Sequence, residues 1–155
     1  MGDHTEALQV DFDPNEISFE QIVQLFWKSH NPISRARTTQ YKSAIWFADE
    51  AQQNAITQMV APLVAKLASE LTPEVLPMKK FYVAEDYHQK YILQRNAAVM
   101  KNFSNMYPRF KDIVDSTAAA RLNGFAGGYG TRELFDAEKN GYGQDLKLIE
   151  SVYRP

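Results

Sequence analysis

Residues 6–28 read EALQVDFDPNEISFEQIVQLFWK, and the spacing of their apolar side chains changes period half-way along. As far as Phe12 the period is two. Glu6, Leu8, Val10 and Phe12 fall on one side of an extended chain, with Ala7, Gln9 and Asp11 on the other, which predicts a strand. Asp13-Pro14-Asn15 has turn chemistry, because proline pre-sets φ and Asp and Asn bond their own backbone. From Ser18 the spacing is helical. Ser18 as N-cap and Gln21 three residues on make a capping box, and Ile17 and Ile22 are placed as a hydrophobic staple. Ile22, Val23, Leu25 and Phe26 supply the expected buried face, and the helix should stop before Asn31-Pro32.

The same alternation of periods continues outward. A polar, basic loop (residues 34–43, SRARTTQYKS) leads to AIWFA at 44–48, an apolar run that predicts a second strand. From Asp49 to Leu71 the spacing of Ile56, Met59, Leu63, Val64 and Leu67 is helical, and Pro62 is expected to kink or split the helix. EVLPMKKFYV at 74–83 suits a short edge strand, since Pro77 cannot donate to a ladder. AEDYHQKYILQR at 84–95 resumes helical spacing, with Tyr87 and Tyr91 at i and i+4. Arg109 to Leu122 predicts a helix capped at Asn123-Gly124, GFAGGYG at 124–130 a flexible loop, and Thr131 to Phe135 the start of one more short helix. This order fits an α+β fold: a two-layer arrangement of mixed sheet and packed helices with a helical C-terminal extension.

Composition bounds the function. The 155 residues are 45% hydrophobic and 23% charged, as in an ordinary globular domain, and the formal charge is -2 with no basic stripe. Nucleic acid is therefore not an expected partner. No apolar run approaches the roughly 20 residues that cross a bilayer, so no membrane partner is expected, and without signal-peptide layout a cytoplasmic setting follows. There is no cysteine, which excludes disulfides, thiolate metal sites and a thiol nucleophile within these residues.

Some side chains point to chemistry. Glu6 heads the apolar face of the first predicted strand. Buried there, it would be held protonated, as a general acid must be; at a frayed strand end it is a carboxylate reaching water. Tyr41, between the basic loop and the second strand, offers a phenol to a ligand oxygen or is an ordinary half-buried tyrosine. Arg35 and Arg37 bring positive charge to the same loop, either to grip an acidic group or as a solvated pair. Glu85, Asp86 and His88 are metal-ligand types, but their spacing matches no standard zinc motif, and a polar network is the plainer reading.

Three segments in order resemble the A-type peptide methionine sulfoxide reductases. They are GDHTEALQVDFDPNEISFEQIVQLFWKSHNP at 2–32, TQYKSAIWF at 39–47 and FYVAEDYHQKY at 81–91. The resemblance covers residues 1 to about 95. The remainder, with ARLNGFAGGYG, is similar to the C-terminal extension of some animal members. It implies one domain over 1–155, with a reductase-family core (1–95) of ferredoxin-like sandwich type and an extension (96–155). It also implies reduction of the S epimer of methionine sulfoxide in oxidised proteins and peptides, with a thioredoxin-type reductant as partner and no bound cofactor or metal. Glu6 matches the family's catalytic acid, Tyr41 the tyrosine that hydrogen-bonds the sulfoxide oxygen, and Glu85, His88 and Gln89 supporting positions of the signature.

The departures carry equal weight. The family's nucleophile lies in a Gly-Cys-Phe-Trp segment before the acid-bearing strand, and here Met1 directly precedes GDHTE. An aspartate that many members carry before Gln-Tyr falls at Ala36, between two arginines that favour an ionised Glu6. The expectation is a reductase-family chain missing its nucleophile-bearing segment, whether cysteine or selenocysteine, as a truncated product or gene model. The alternative is a catalytically inactive relative that binds methionine sulfoxide, methionine side chains or another protein. A sheet surface uncovered by the missing strand would invite self-association.

Overall fold

The computed structural model describes residues 4–154; Gly2 and Asp3 of the first motif lie outside them. Eight α-helices and two short strands are present among the described residues, and the chain divides into two compact units between Phe81 and Tyr82.

The first unit is a β–α–β arrangement preceded by a helix. Helix α1 (Phe19–Lys28) begins as its sequence requires: Ser18 Oγ accepts from Gln21 N–H, and Gln21 Oε1 accepts from Ser18 N–H at 2.8 Å. At its other end the Phe26 carbonyl accepts from the Ser29 N–H at 3.2 Å and the Ser29 hydroxyl at 2.8 Å, and His30 Nδ1 lies 2.8 Å from it. Strand β1 (Ala44–Phe47) pairs in parallel with β2 (Glu74–Pro77), Ala44 opposite Glu74 and Phe47 opposite Pro77, with α2 (Glu50–Leu67) as the crossover. Val23, Trp27 and Ile56 form the buried centre, flanked by Phe19, Phe26, Ile45, Phe47 and Val75. Leu25, expected on the buried face of α1, is 59% exposed; Trp27, one helical turn after Val23, takes its place.

One expectation here fails, and of the two outcomes expected at Pro62 the split does not occur. Residues 6–12 form no strand: among the described residues β1 and β2 pair only with each other, and a strand exists only where a neighbour pairs its backbone. Leu8 is left 86% exposed and Val10 49%. Pro62 does not split α2, which runs through it to Leu67 and ends on Ala68 in the left-handed region (φ 48°). The loss at Pro62 is one bond to the Gln58 carbonyl on an exposed face, and the packed side of the helix, with Ile56, Met59 and Leu63, holds the turns on either side together.

The second unit is helical: α3 (Tyr91–Gln94), α4 (Ala97–Met106), α5 (Phe110–Asp115), α6 (Thr117–Ala126), α7 (Arg132–Glu138) and α8 (Leu146–Glu150) surround a core centred on Leu93, Phe103, Leu122, Phe125, Phe135 and Ile149. Its divisions differ from those predicted. Residues 84–95 are not one helix but a 3₁₀ turn (Asp86–His88) and α3, separated by Lys90 at φ 49°; Tyr87 and Tyr91 are both exposed. The span from Arg109 to Leu122 breaks at Ser116, whose backbone is extended and whose Oγ accepts from Ala119 N–H at 3.1 Å as N-cap of α6. Asn123 and Gly124 lie inside α6 instead of capping it, because Asn123 Oδ1 is engaged across the unit by the Leu93 N–H at 3.0 Å. The glycine-rich loop is partly fixed: Gly130 sits at φ +91°, and a Cβ there would stand 2.6 Å from Phe125 Cε1. The short helix expected to start at Thr131–Phe135 is α7, and Thr131 is its N-cap.

Candidate functional site

Glu6 and Tyr41 are brought to one place by backbone pairing. Glu6 N–H donates to the Gln40 carbonyl at 2.9 Å, and Gln40 Nε2 donates to Glu6 Oε1 at 2.8 Å. One residue earlier, Thr5 Oγ1 donates to the Thr39 carbonyl at 3.0 Å. Thr39–Tyr41 is a single 3₁₀ turn leading through Lys42 into β1, so the carboxyl at position 6 is clamped to the residue next to the phenol. Lys42 is neutralised by Glu74 at 2.8 Å, across the sheet register.

The clamp is open to solvent. Glu6 is exposed and Tyr41 is 64% exposed. The apolar floor that the alternation predicted beneath Glu6 is absent, since that floor required residues 6–12 to be a paired strand. Gln40 is the member of the clamp that residue-by-residue reading passed over. Its signal was its place in the Thr-Gln-Tyr triplet, although nothing local in the sequence links position 40 to position 6.

Glu85, His88 and Gln89 gather in the second unit as one hydrogen-bonded turn. His88 N–H donates to the Glu85 carbonyl at 2.9 Å, His88 Nε2 lies 3.9 Å from Glu85 Oε2, and Gln89 Nε2 donates to the Ala84 carbonyl at 3.1 Å. Gln94 Nε2 closes the turn on the Asp86 and Gln89 carbonyls at 2.7 and 2.5 Å. The Tyr87 and His88 rings lie 4.2 Å apart. The Glu85 and His88 side chains are more than half exposed, as suits a polar network. Among the described residues no group of three acidic, histidine or cysteine side chains is placed to hold a metal.

The strongest charge geometry lies elsewhere in the second unit and holds helices together. Arg121 donates twice to Glu138, at 2.7 and 2.5 Å, and Tyr142 Oη donates to the same carboxylate at 2.6 Å. Burial, then the bond to Glu138, pushes the Tyr142 phenol well up. For Glu138 burial acts upward, but the Arg121 and Tyr142 bonds outweigh it and the carboxyl sits below its usual range. A second cluster ties α7 to α8: Arg132 grips Asp136 at 2.8 and 2.9 Å, and Lys139 reaches both Asp136 and Glu150. Arg132 first, then Lys139, holds Asp136 down to about 2. These charges were invisible as clusters in the sequence, because their partners lie up to 18 residues apart.

Comparison with known proteins places this chain in a family. A family model described as peptide methionine sulfoxide reductase matches residues 1–121, and one described as selenoprotein methionine sulfoxide reductase A, helical domain, matches residues 111–153, within the helical unit. The chain belongs to the peptide methionine sulfoxide reductase family. It is 38% identical to a peptide methionine sulfoxide reductase of Drosophila melanogaster over 144 residues, 89% of this chain and 56% of the fly protein. It is 41% identical to peptide methionine sulfoxide reductase MsrA 1 of Synechocystis over 101 residues, 59% of this chain and 46% of that protein. With the MsrA protein of Pasteurella multocida it shares 38% over 121 residues, 71% of this chain and 70% of the bacterial one. The chain thus spans about half the length of the fly and cyanobacterial relatives. The expected α+β class holds at that level, as a helix-rich chain with a small parallel sheet. No helix among the described residues is long and apolar enough to cross a membrane.

Proposed function

We propose that this chain recognises the sulfoxide group of oxidised methionine in proteins and supplies the proton-donating half of its reduction. The observation that carries the reading is the pair of hydrogen bonds between Glu6 and Gln40, which holds a carboxyl group beside the residue that bears a phenol. A sulfoxide oxygen is a strong acceptor with no proton of its own, so it needs donors, and Tyr41 Oη is the first. Glu6 is the second, the position that matches the family's catalytic acid. Glu85, His88 and Gln89 act as supporting residues. The β1–α2–β2 unit supports a ferredoxin-like sandwich as the complete core, and the cytoplasm is the setting we assign.

Reduction converts a sulfoxide and two thiols into a thioether, a disulfide and water. One thiolate bonds to the sulfoxide sulfur while the oxygen takes up protons and leaves; the second thiol releases the first as disulfide. These 155 residues hold no cysteine, so both thiols come from outside them, with a thioredoxin-type dithiol as the reductant. A second reading, a binder without turnover, is favoured by the exposure of Glu6.

The test is a fluorescence titration with a labelled peptide carrying methionine sulfoxide, against the same peptide carrying methionine. The sulfoxide peptide should bind more tightly, and Glu6→Ala and Tyr41→Phe, each of which removes a donor, should each weaken it about three- to tenfold, the worth of one hydrogen bond. These residues alone, supplied with dithiothreitol, should give no turnover; repair at an ordinary enzymatic rate would refute the assignment of both thiols to partners. Binding without reduction even when thioredoxin is present would favour the second reading.

A further inference from the structure

The loop before Tyr41 carries two cations that no part of the fold uses. Arg35 and Arg37 are exposed, and neither has a hydrogen-bond or ion-pair partner among the described residues. The loop is nevertheless anchored at both ends. At Pro32 and Ser34, Thr72 N–H donates to the Pro32 carbonyl at 2.8 Å, and Thr72 Oγ1 lies within reach of the Pro32 and Ser34 carbonyls at 3.2 and 2.8 Å. At Thr39 and Gln40 the clamp from Thr5 and Glu6 holds it. The two arginines therefore stand on a short arch fixed at each foot, which reduces the entropy lost when they engage a ligand.

An open groove runs under that arch, lined by Ser34, Arg35, Ser43, Thr72 and Glu74. Within it Glu74 is neutralised by Lys42, while Arg35 and Glu70 make no ion pair with each other, and Arg37 stands outside the groove's lining, so both guanidiniums are left for a ligand to engage. Arg37 lies four residues and Arg35 six residues from Tyr41, at most about 14 and 21 Å along the chain, and each long side chain extends that reach back toward the site. An extended peptide rises about 3.3 Å per residue, so a side chain within about three positions of the bound sulfoxide comes abreast of the arginines.

We infer that Arg35 and Arg37 are specificity-determining residues that select oxidised methionines with an aspartate or glutamate within about three positions. This rests on the sulfoxide-binding reading of Glu6 and Tyr41 and adds the chemistry of the flanking sequence. Guanidinium is suited to the part because its fork of donors matches a carboxylate.

The experiment titrates the 155-residue chain with three labelled peptides, each with a central methionine sulfoxide and with Asp, Gln or Lys at the second position on either side; methionine versions are the controls. The acidic sulfoxide peptide should bind about fivefold more tightly than the neutral one, the sum expected of two exposed ion pairs, and the advantage should fall as salt rises. Arg35→Gln with Arg37→Gln should abolish the ratio while leaving the neutral sulfoxide peptide bound as before, and Arg35→Glu with Arg37→Glu should invert it. Both positions are exposed, and an unchanged circular dichroism melt verifies that the variants fold. Equal binding of acidic and neutral sulfoxide peptides overturns the inference and leaves the reading of Glu6 and Tyr41 standing. Indifference to the sulfoxide oxygen sinks that reading, and an acidic preference that persists on methionine peptides then overturns the link drawn here between arginines and site.

Discussion

Replacing Asn123 with alanine tests the internal logic of the helical unit. Asn123 sits within α6, yet its Oδ1 accepts the Leu93 N–H at 3.0 Å, in the first turn of α3, where the helix itself offers that donor no partner. Leu93 is fully buried, so the alanine variant strands a buried N–H, a loss of about 1–3 kcal/mol. Alanine is the better helix former by about 0.6 kcal/mol, which acts in the opposite direction. The net expectation is a destabilisation of about 1.5 kcal/mol. A unit of this size shifts its melting midpoint by about 4–8 °C per kcal/mol, so the helical transition should fall by roughly 6–12 °C. Thermal unfolding followed by far-ultraviolet circular dichroism reads the midpoint, and amide exchange of the Leu93 N–H reads the cause. That proton should exchange slowly in the native chain and quickly in the variant. Asn123→Asp keeps the acceptor and should stay within about 0.5 kcal/mol of the parent. A midpoint for Asn123→Ala at or above the parent's would refute the reasoning, because helix propensity would then outweigh the bond to Leu93.

Other outcomes follow from the same structure. Pro62→Ala restores a donor for the Gln58 carbonyl within α2 and should stabilise the first unit by about 2 kcal/mol, the helix gain less the entropy that proline removes from the unfolded chain; a raised urea midpoint at unchanged slope would verify it, and a lowered one would show that the proline supports the helix. Arg132 and Lys139 hold Asp136 down to about 2, below the usual carboxylate value. Its folded-state value lies below the unfolded one, so its contribution is present above about pH 4 and is lost as pH falls toward 2. Melts across that window should show the parent losing stability more steeply than Asp136→Asn, and parallel profiles would count against the coupling.

Legibility followed locality. The capping box at Ser18 and Gln21, the short helix starting near Thr131 and the apolar run at Ala44–Phe47 were each readable because every group involved lies within a few residues. The predicted breaks fared worse. Pro62 and Asn123-Gly124 are breakers by residue type, yet both lie inside helices, because packing around Met59 and Leu63 in one case and the bond to Leu93 in the other outweighs a local preference. The true break, at Ser116, is a polar residue whose hydroxyl competes with the backbone, a weaker signal inside an otherwise helical stretch.

The three motifs, with the acid, phenol and histidine they contain, are present in the sequence as residue types at set spacings, and those alone carried the family. Whether Glu6 would be buried was not among the things the motifs determined. Side-chain alternation is written in one segment, but the strand that makes it a face needs backbone partners from other parts of the chain. The clamp of Gln40 on Glu6, 34 residues apart, and the bond of Asn123 to Leu93, 30 residues apart, were decided only when the chain came together, since no spacing rule reaches across such distances.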